Sequence, residues 1–334
     1  MSGITVILTV IVGFTVTAIL GTVMIPFLRK LKYGQTIRED GPTWHKQKQG
    51  TPTMGGMMFI VGTVVAAVVG FSYLVFVQKS VLLETKGIVR LLAGLIMALL
   101  FGMIGFFDDY IKVVKKQNLG LKAKQKLMLQ ILVTVFYLTI LYAFGDRSTI
   151  VNLPFLGQWQ FGVLYYPIMG ILIIGIVNSV NLTDGIDGLA GCVTFIVAVF
   201  FMAATAVLKL SAINVLASAL AASLLGFLIY NIHPAKVFMG DTGSLFLGGM
   251  VVALAFGVNM PFILFFVGFM YCVESLSVIL QVISFQTTGK RIFRMSPIHH
   301  HFEMGGMSES KIVTMFCLIT IVMSVLSYFA IINM

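Results

Sequence analysis

Charged residues are scarce in this chain: they make up 10% of its 334 residues, whereas soluble domains usually carry about a quarter. Hydrophobic residues reach 59%. This composition excludes a soluble all-helical protein, because spans of about 20 apolar residues recur along the whole length. No polar segment between the spans is long enough for a soluble domain. We therefore expect residues 1–334 to form a single polytopic membrane domain.

Cysteine and N-terminal basic residues are also lacking. The three cysteines, Cys192, Cys272 and Cys317, lie in apolar spans without CxxC or Cys/His spacing, so no structural disulfide is implied. The first apolar run has no basic segment before it, and Arg29 and Lys30 follow it. This order indicates a retained first helix and not a cleaved signal peptide.

Hydropathy predicts an all-α integral membrane protein with about ten transmembrane helices. The predicted spans are residues 4–28, 54–77, 88–107, 125–144, 163–181, 188–208, 213–231, 241–257, 261–286 and 311–333. Lysine and arginine concentrate in the odd-numbered loops, which places those loops in the cytoplasm and both termini outside. The five histidines are in the same loops: His45, His233, His299, His300 and His301. Since histidines carry no topological signal, their position indicates an active-site cleft on the cytoplasmic face.

The third loop is predicted to open with Asp108 and Asp109 and to continue with lysines that include Lys112 and Lys124. Adjacent carboxylates repel each other, which can leave one of them as a proton acceptor or a metal ligand. The lysines supply positive charge for a phosphate. The alternative interpretation is a solvated helix end with a basic anchor.

Two further loops combine acids with glycine. The fifth contains Asp184-Gly185-Ile186-Asp187-Gly188, whose glycines permit close backbone approach to a polar ligand. Its alternative is an ordinary turn with an aspartate cap. In the seventh loop Asp241 precedes a small, hydroxylated helix start and suits Mg²⁺, which takes oxygen ligands. A plain N-cap aspartate is the alternative there.

The ninth loop carries a histidine triplet at residues 299–301. A zinc site would need accompanying cysteines or an HExxH spacing, and the sequence has neither beside the triplet. Hydrogen bonding to phosphate oxygens is therefore the favoured interpretation. Glu274 lies inside the ninth span, and its role stays open between function and packing. A membrane-embedded acid also motivates the alternative of a secondary transporter.

Taken together, these loops resemble the phospho-N-acetylmuramoyl-pentapeptide transferase family, within the polyprenyl-phosphate N-acetylhexosamine-1-phosphate transferase superfamily. The resemblance covers nearly the whole chain, and its markers are Gly50–Gly56, Asp108-Asp109, Asn181–Gly188, Phe238–Gly243 and Pro297–Glu303. It implies Mg²⁺-dependent transfer of phospho-MurNAc-pentapeptide from UDP-MurNAc-pentapeptide to undecaprenyl phosphate, giving lipid I and UMP. It also implies a homodimer in the bacterial cytoplasmic membrane, with no nucleic acid partner.

The resemblance assigns roles by motif match. The implied catalytic residues are Asp108, Asp109, Lys124, Asn181, Asp241 and His299. Among them Asp241 would hold Mg²⁺, and Asp108 would deprotonate or position the lipid phosphate. The implied substrate-binding residues are Lys48, Thr53, Asp184, Gly185, Ile186, Asp187, Asn231, Phe238, Gly240, Gln281, His300 and His301. Phe238 would offer its ring to the uracil base.

Two alternatives remain beside this function. A sister transferase would use UDP-GlcNAc with undecaprenyl phosphate, and its catalytic loops would be the same. A secondary transporter would place its charged groups near the bilayer midplane, whereas the acids here crowd one interface. For the transfer itself we expect direct attack by the lipid phosphate over a two-step route through a phosphorylated aspartate, because an ionised phosphate needs little activation.

Overall fold

The computed structural model describes residues 3–30, 48, 50–77, 85–115 and 119–332. Within these ranges ten helices are long and apolar enough to cross a membrane. The predicted all-α polytopic architecture is therefore confirmed. His45, one of the five histidines of the predicted polar loops, lies outside the described residues.

The spanning helices follow the predicted order. They are α1 (Gly3–Lys30), α2 (Gly56–Ser72, continued by a π-helical turn at Tyr73–Val77), α3 (Thr85–Val114), α4 (Ala123–Ala143), α5 (Tyr165–Thr183), α6 (Leu189–Val207), α7 (Ser211–Asn231), α8 (Gly240–Gly257), α10 (Phe269–Thr288) and α12 (Glu309–Ile332). The shorter elements are the antiparallel hairpin β1 (Ile150–Leu153) and β2 (Gly157–Gln160), 3-10 turns at Gly162–Leu164 and Pro261–Ile263, and the helices α9 (Leu264–Val267) and α11 (Ile298–Glu303).

Helix α3 is longer than hydropathy predicts. The prediction ends it at residue 107 and puts Asp108 and Asp109 in a loop, which is wrong: the helix continues to Val114. Both carboxylates are buried inside the bundle, and Lys112, one turn further on, pairs with Asp108 at 2.5 Å. Because the acids find partners within the protein, the chain stays helical past the apolar segment.

The ninth span also differs from its prediction as one helix over residues 261–286. It consists of the 3-10 turn, the short helix α9 and then α10. The break falls at Gly268, whose backbone (φ −94°, ψ 19°) leaves the helical range. A Cβ at Gly268 would lie 2.5 Å from the carbonyl oxygen of Leu264. This close backbone approach favours glycine at the break.

Helices α7 and α8 form the centre of the molecule. In each of them, 89% of the residues in the most apolar 18-residue stretch are buried, against 22% in α1 and α10. Glycines let α3 approach α8 closely, as expected where helices pack in a membrane. A Cβ at Gly94 would lie 2.7 Å from the Cβ of Ala253, and one at Gly249 would lie 2.7 Å from the Cα of Ala98. The N-terminus of α8 is thereby held at the middle of one end of the bundle.

At the opposite end of the bundle, Arg90 near the start of α3 connects several chain segments. Its Nε donates to Asp146 at 2.6 Å, and its terminal nitrogens donate to the carbonyl of Gly257 and the side chain of Asn259, each at 3.4 Å. The backbone N–H of Asn152 in β1 donates to the carbonyl of Asn259 at 3.2 Å. The hairpin, which hydropathy does not predict, is fixed to the ends of α3 and α8 by these contacts.

The close packing of α3 on α8 can be tested with Gly105→Ala. Its Cβ would lie 2.0 Å from the carbonyl oxygen of Asp241 and 2.6 Å from the N of Thr242. Backbone atoms cannot rotate away, so the cost should reach or exceed the ~1–3 kcal/mol typical of overpacked cores. We expect a lower melting temperature for the purified protein in detergent.

Gly87→Ala is the matched control on the same helix, because the nearest atom to its Cβ is 3.9 Å away. It should leave the melting temperature unchanged or slightly higher, since alanine favours helix. Equal losses of stability in the two variants would contradict the α3–α8 contact described above.

Candidate active site

The start of α8 is built from two sequence motifs that pair through their backbones. Phe238 donates its N–H to the carbonyl of Pro52 at 2.8 Å, and Gly55 donates to the carbonyl of Phe238 at 2.9 Å. At Gly240 the backbone takes φ +71°, and a Cβ there would lie 2.5 Å from Asp109 Oδ2 and 2.8 Å from Thr53 Oγ1. Only glycine accepts both this conformation and this crowding. Thr53, Gly240 and Asp109 are thus in direct proximity.

Asp109 caps helix α8 from the neighbouring helix α3. Its Oδ1 accepts from the N–H of Asp241 at 3.2 Å, and its Oδ2 accepts from the N–H and the hydroxyl of Thr242 at 2.9 and 2.7 Å. The first N–H groups of a helix have no partner within it, and the helix dipole favours a negative group at this end. Asp109 therefore fixes the position from which Asp241 projects.

Asp108, Asp109 and Asp241 form what we call the aspartate cluster. Each offers a carboxylate oxygen, and these oxygens lie within 4.8 Å of one another. Asp108 Oδ1 also accepts the N–H of Leu121 at 2.8 Å, which draws the chain between α3 and α4 against the cluster. Mg²⁺ is usually held by one or two carboxylates together with substrate phosphates. This all-oxygen donor set fits such an ion.

Two lysines and one amide surround Asp241. Lys112 Nζ lies 2.9 Å and Lys126 Nζ 3.0 Å from Asp241 Oδ2, and Lys112 also reaches Asp109 at 3.8 Å. Asn181 Nδ2 donates to Asp241 Oδ1 at 2.9 Å and to the hydroxyl of Ser244 at 2.7 Å. The site thus combines clustered carboxylates with positive groups that can bind phosphate.

Lys126, and not the predicted Lys124, makes the contact from α4. Lys124 is exposed, whereas Lys126 is partly buried and also lies 3.5 Å from Asn181 Oδ1. A four-residue spacing marks the inner face of α4, because Lys126 is followed by Gln130 and Thr134, both buried. This polar spacing was the signal that could have distinguished the two lysines in the sequence.

The Asp184–Gly188 turn lies between α5 and α6. Ile186 is buried in the apolar core, while Gly185 is exposed. Burial raises the pKa of Asp184 well above its usual range, and the carboxylates of Asp241, Asp109 and Asp187 raise it further. The turn is therefore electrostatically coupled to the aspartate cluster.

A second polar group, the Lys48 cluster, consists of Lys48, Asp187, His233 and Glu309. Lys48 Nζ donates to Asp187 Oδ1 at 2.7 Å and to Glu309 Oε2 at 2.6 Å. Asp187 Oδ2 accepts from the N–H of Ala235 at 2.9 Å and lies 3.1 Å from His233 Nδ1. The acids and His233 have spacings suited to a metal, and the ammonium group of Lys48 bridges the two carboxylates, as that of Lys112 bridges Asp108 and Asp241.

Glu309 is a member of the Lys48 cluster that the sequence analysis missed. It belongs to the first turn of α12, where an acid is expected simply from the helix dipole. Its Oε2 also accepts the N–H of Asp187 at 3.0 Å. A single chain gives no signal for this contact, because 122 residues separate its partners.

The three histidines of residues 299–301 have three different environments. His299 is fully buried, and its Nδ1 lies 3.0 Å from Glu274 Oε1. His300 Nδ1 lies 2.9 Å from Glu303 Oε2, and His301 Nδ1 accepts the N–H of Arg294 at 3.1 Å. Among the described residues, these histidines are not part of a group with metal-binding spacing. His299 lies against the Asp184–Gly188 turn, since a Cβ at Gly185 would meet its ring.

The remaining predicted binding residues differ in whether their polar atoms or rings are already used by contacts within the protein. Gln281 Oε1 accepts the N–H groups of Ile292 and Phe293 at 3.0 and 2.9 Å, and its Nε2 donates to the carbonyl of Phe293 at 3.0 Å. It therefore anchors the loop after α10. Asn231 Nδ2 donates to the carbonyl of Val237 at 2.9 Å, while its buried Oδ1 has no partner in the described part of the chain. The ring of Phe238 is partly exposed.

Comparisons with known proteins give a consistent result. Residues 91–259 match the family described as glycosyl transferase family 4. A protein of Clostridium botulinum strain Alaska E43 is 43% identical over 328 residues, covering 98% of this chain and 96% of its own. One from Carboxydothermus hydrogenoformans is 46% identical, with 95% and 96% covered, and one from Heliobacterium modesticaldum is 47% identical, with 92% and 91% covered. All three are named phospho-N-acetylmuramoyl-pentapeptide-transferase.

The capping role of Asp109 predicts that Asp109→Asn destabilises the protein more than Asp108→Asn. An amide offers one acceptor oxygen in place of two, so an N–H at the start of α8 loses its buried partner at a cost of ~1–3 kcal/mol. Asp108 accepts one backbone N–H, which an amide oxygen can still accept. Thermal unfolding without metal or nucleotide compares the two, and a larger loss for Asp108→Asn would show that the cap is not the dominant interaction.

Proposed function

This chain belongs to the phospho-N-acetylmuramoyl-pentapeptide-transferase family, which falls within glycosyl transferase family 4, and on that premise we propose its reaction. It transfers phospho-MurNAc-pentapeptide from UDP-MurNAc-pentapeptide to undecaprenyl phosphate and releases UMP. The observation that carries the proposal is the convergence of the aspartate cluster, its two lysines and the Asp184–Gly188 turn at one end of a membrane-spanning bundle. Such a site suits a substrate that is part lipid and part phosphate.

The orientation of the site belongs to the proposal. The helix ends that carry the aspartate cluster adjoin the lysine-rich odd-numbered loops, which the positive-inside rule assigns to the cytoplasm. UDP-linked substrate would enter from that side, and undecaprenyl phosphate would arrive through the bilayer. We place the protein in the bacterial cytoplasmic membrane, as a homodimer by family resemblance, and cross-linking in native membranes tests the dimer.

The nucleotide is assigned to the Lys48 cluster and the neighbouring turn. Phe238, which is partly exposed at the start of α8, would offer its ring to uracil. Asn231 has a buried acceptor, Oδ1, without a partner among the described residues. A buried polar atom of this kind is costly unless a ligand or water satisfies it. The exposed Gly185 lets a ligand approach the backbone of the turn.

The reacting phosphates are assigned to the aspartate cluster. Asp241 would hold Mg²⁺, with Asp108 next to it. When bound, the ion would neutralise charge on the pyrophosphate and the departing UMP. Lys112 and Lys126, which both contact Asp241, would donate to the phosphate oxygens. Asn181 orients the carboxylate of Asp241.

Asp108 is the better candidate to position or deprotonate the lipid phosphate. Both oxygens of Asp109 accept hydrogen bonds from α8, so that carboxylate is committed to the cap. In direct transfer an oxygen of undecaprenyl phosphate attacks the β-phosphorus of the UDP substrate. The bond from that phosphorus to the oxygen of UMP breaks, and UMP leaves with the bonding electrons. Glu274, which motivated the transporter alternative, pairs with His299 beside the turn.

The decisive experiment measures UMP release by the purified protein with undecaprenyl phosphate and Mg²⁺. We expect turnover with UDP-MurNAc-pentapeptide, none with UDP-GlcNAc, and loss of turnover on chelation. Turnover with UDP-GlcNAc would assign the chain to the sister reaction instead. If folded protein turns over neither substrate, the transferase proposal is wrong and a flux assay in vesicles becomes the next test.

Two substitutions separate the roles within the aspartate cluster. Asp108→Asn should abolish transfer while Mg²⁺-dependent nucleotide binding persists, and Asp241→Asn should remove both activity and the response to Mg²⁺. Asp146→Asn, at the opposite end of the bundle, is the control for loss of a carboxylate and should retain turnover. Full turnover of Asp108→Asn would remove that residue from the mechanism. An unchanged metal response in Asp241→Asn would refute the ligand assignment.

A further inference from the structure

Glu274 is a buried acid whose presence within a membrane-spanning helix requires an explanation. Its side chain is fully buried in α10. Oε1 lies 3.0 Å from His299 Nδ1, and Oε2 has no partner among the described residues. Placing an acid inside the membrane is expensive unless the group is paired, and such acids usually have a function. The position of its partner, His299, indicates what the function of Glu274 is.

His299 presents its second nitrogen to the Asp184–Gly188 turn. The ring is fully buried, and Nε2 has no partner in the part of the chain that the structure describes. A Cβ at Gly185 would lie 2.1 Å from Nε2 and 2.6 Å from Cε1, so the ring lies directly against the backbone of this residue. Gly185 is exposed. The imidazole therefore reaches the turn that the proposed function gives to the nucleotide.

A carboxylate on one imidazole nitrogen determines what the other nitrogen can do. An Nδ1–H bonded to a carboxylate fixes the orientation of the ring, as the partners of metal-bound and catalytic histidines do. The negative charge of the carboxylate also balances a positive imidazolium. In that state Nε2–H is a donor, and its natural acceptor is an anionic oxygen.

We propose that Glu274 is a positioning residue that acts through His299. It holds the imidazole so that Nε2–H faces the turn at Gly185 and donates to a phosphate oxygen of the bound uridine nucleotide. The inference rests on the proposed function, because that function places the nucleotide beside the turn. The histidine has the contact with the ligand, and the glutamate, fully buried behind it, has none.

Comparing the binding of UMP with the binding of uridine distinguishes this role from a general structural one. Both carry the base and the sugar, but only UMP carries the phosphate. Glu274→Gln keeps the shape of the side chain and removes its charge, so it should weaken UMP binding about tenfold while uridine binding stays unchanged. Titration calorimetry on the folded, full-length protein in detergent gives both affinities, and thermal unfolding reports the fold of each variant.

A double substitution provides the second readout. If Glu274 acts through His299, then Glu274→Gln should have no further effect on UMP affinity in a His299→Gln background. Ser277→Ala is the matched control: it removes a buried hydrogen bond to the carbonyl of Glu274 in the same part of α10 and leaves both side chains of the pair in place. It should bind UMP like the unsubstituted protein. Glu274→Asp, which keeps the charge on a shorter side chain, should have an intermediate affinity and serves if Glu274→Gln does not fold.

Three results would overturn the inference: unchanged UMP affinity in Glu274→Gln, equal weakening of UMP and uridine, or additive effects of the two substitutions. The proposed function has a separate signature of failure. An unsubstituted, folded protein that binds neither UMP nor uridine would refute the nucleotide site, and this inference with it. Normal binding by the unsubstituted protein together with any of the three results refutes the role of Glu274 alone.

Discussion

The site depends on one interaction, the capping of α8 by Asp109. A helix that begins inside a bundle presents N–H groups that water cannot reach, and each must find an acceptor. Asp109 supplies acceptors for the N–H groups of Asp241 and Thr242 from α3. Glycines along the α3–α8 contact bring the two backbones close enough for this. The position of Asp241, and hence of every group that contacts it, follows from this pairing of helices.

Two polar groups with different characters meet at the Asp184–Gly188 turn. The aspartate cluster combines carboxylates with lysines that reach it from α3 and α4, and the proposed function gives it the metal ion and the phosphates. In the Lys48 cluster, hydrogen bonds join the turn to α12. The turn connects them, because Asp187 belongs to one and Asp184 responds to the field of the other.

Much of the fold could be predicted from the sequence, because hydropathy and charge determine which segments cross a bilayer. Hydropathy predicted all ten spans, but not the length of α3, the break at Gly268 or the hairpin after α4. Hydropathy treats an aspartate as the end of a span, whereas Asp108 and Asp109 are stabilised inside the bundle by partners distant in the chain. Propensity and hydropathy are local, whereas the length of α3 and the position of the hairpin depend on tertiary contacts.

The same limit applies to the site. Motifs predicted Asp241, Asn181 and Asp187 as site residues, since their neighbours in sequence have unusual patterns, and all three lie in the polar groups described above. They did not separate Lys124 from Lys126, which needs the rotational phase of α4, and they gave no signal for Glu309. Gln281 matched a binding motif, but its amide is used by the loop after α10. Sequence patterns thus indicate where polar groups gather, and packing decides which of them face the ligand.

The central position of α8 also has a consequence for how the protein is made. The most apolar 18-residue stretch of α8 has a mean hydropathy of 1.3, the lowest of the ten spans, although the helix is almost entirely surrounded by protein. A helix this weakly apolar gains little from contact with lipid and much from contact with its neighbours. Helices α3 and α5, which pack against it, precede it in the chain. The segment that carries Asp241 is thus the one whose insertion relies most on helices already synthesised, so assembly of the membrane domain and assembly of the site are the same event.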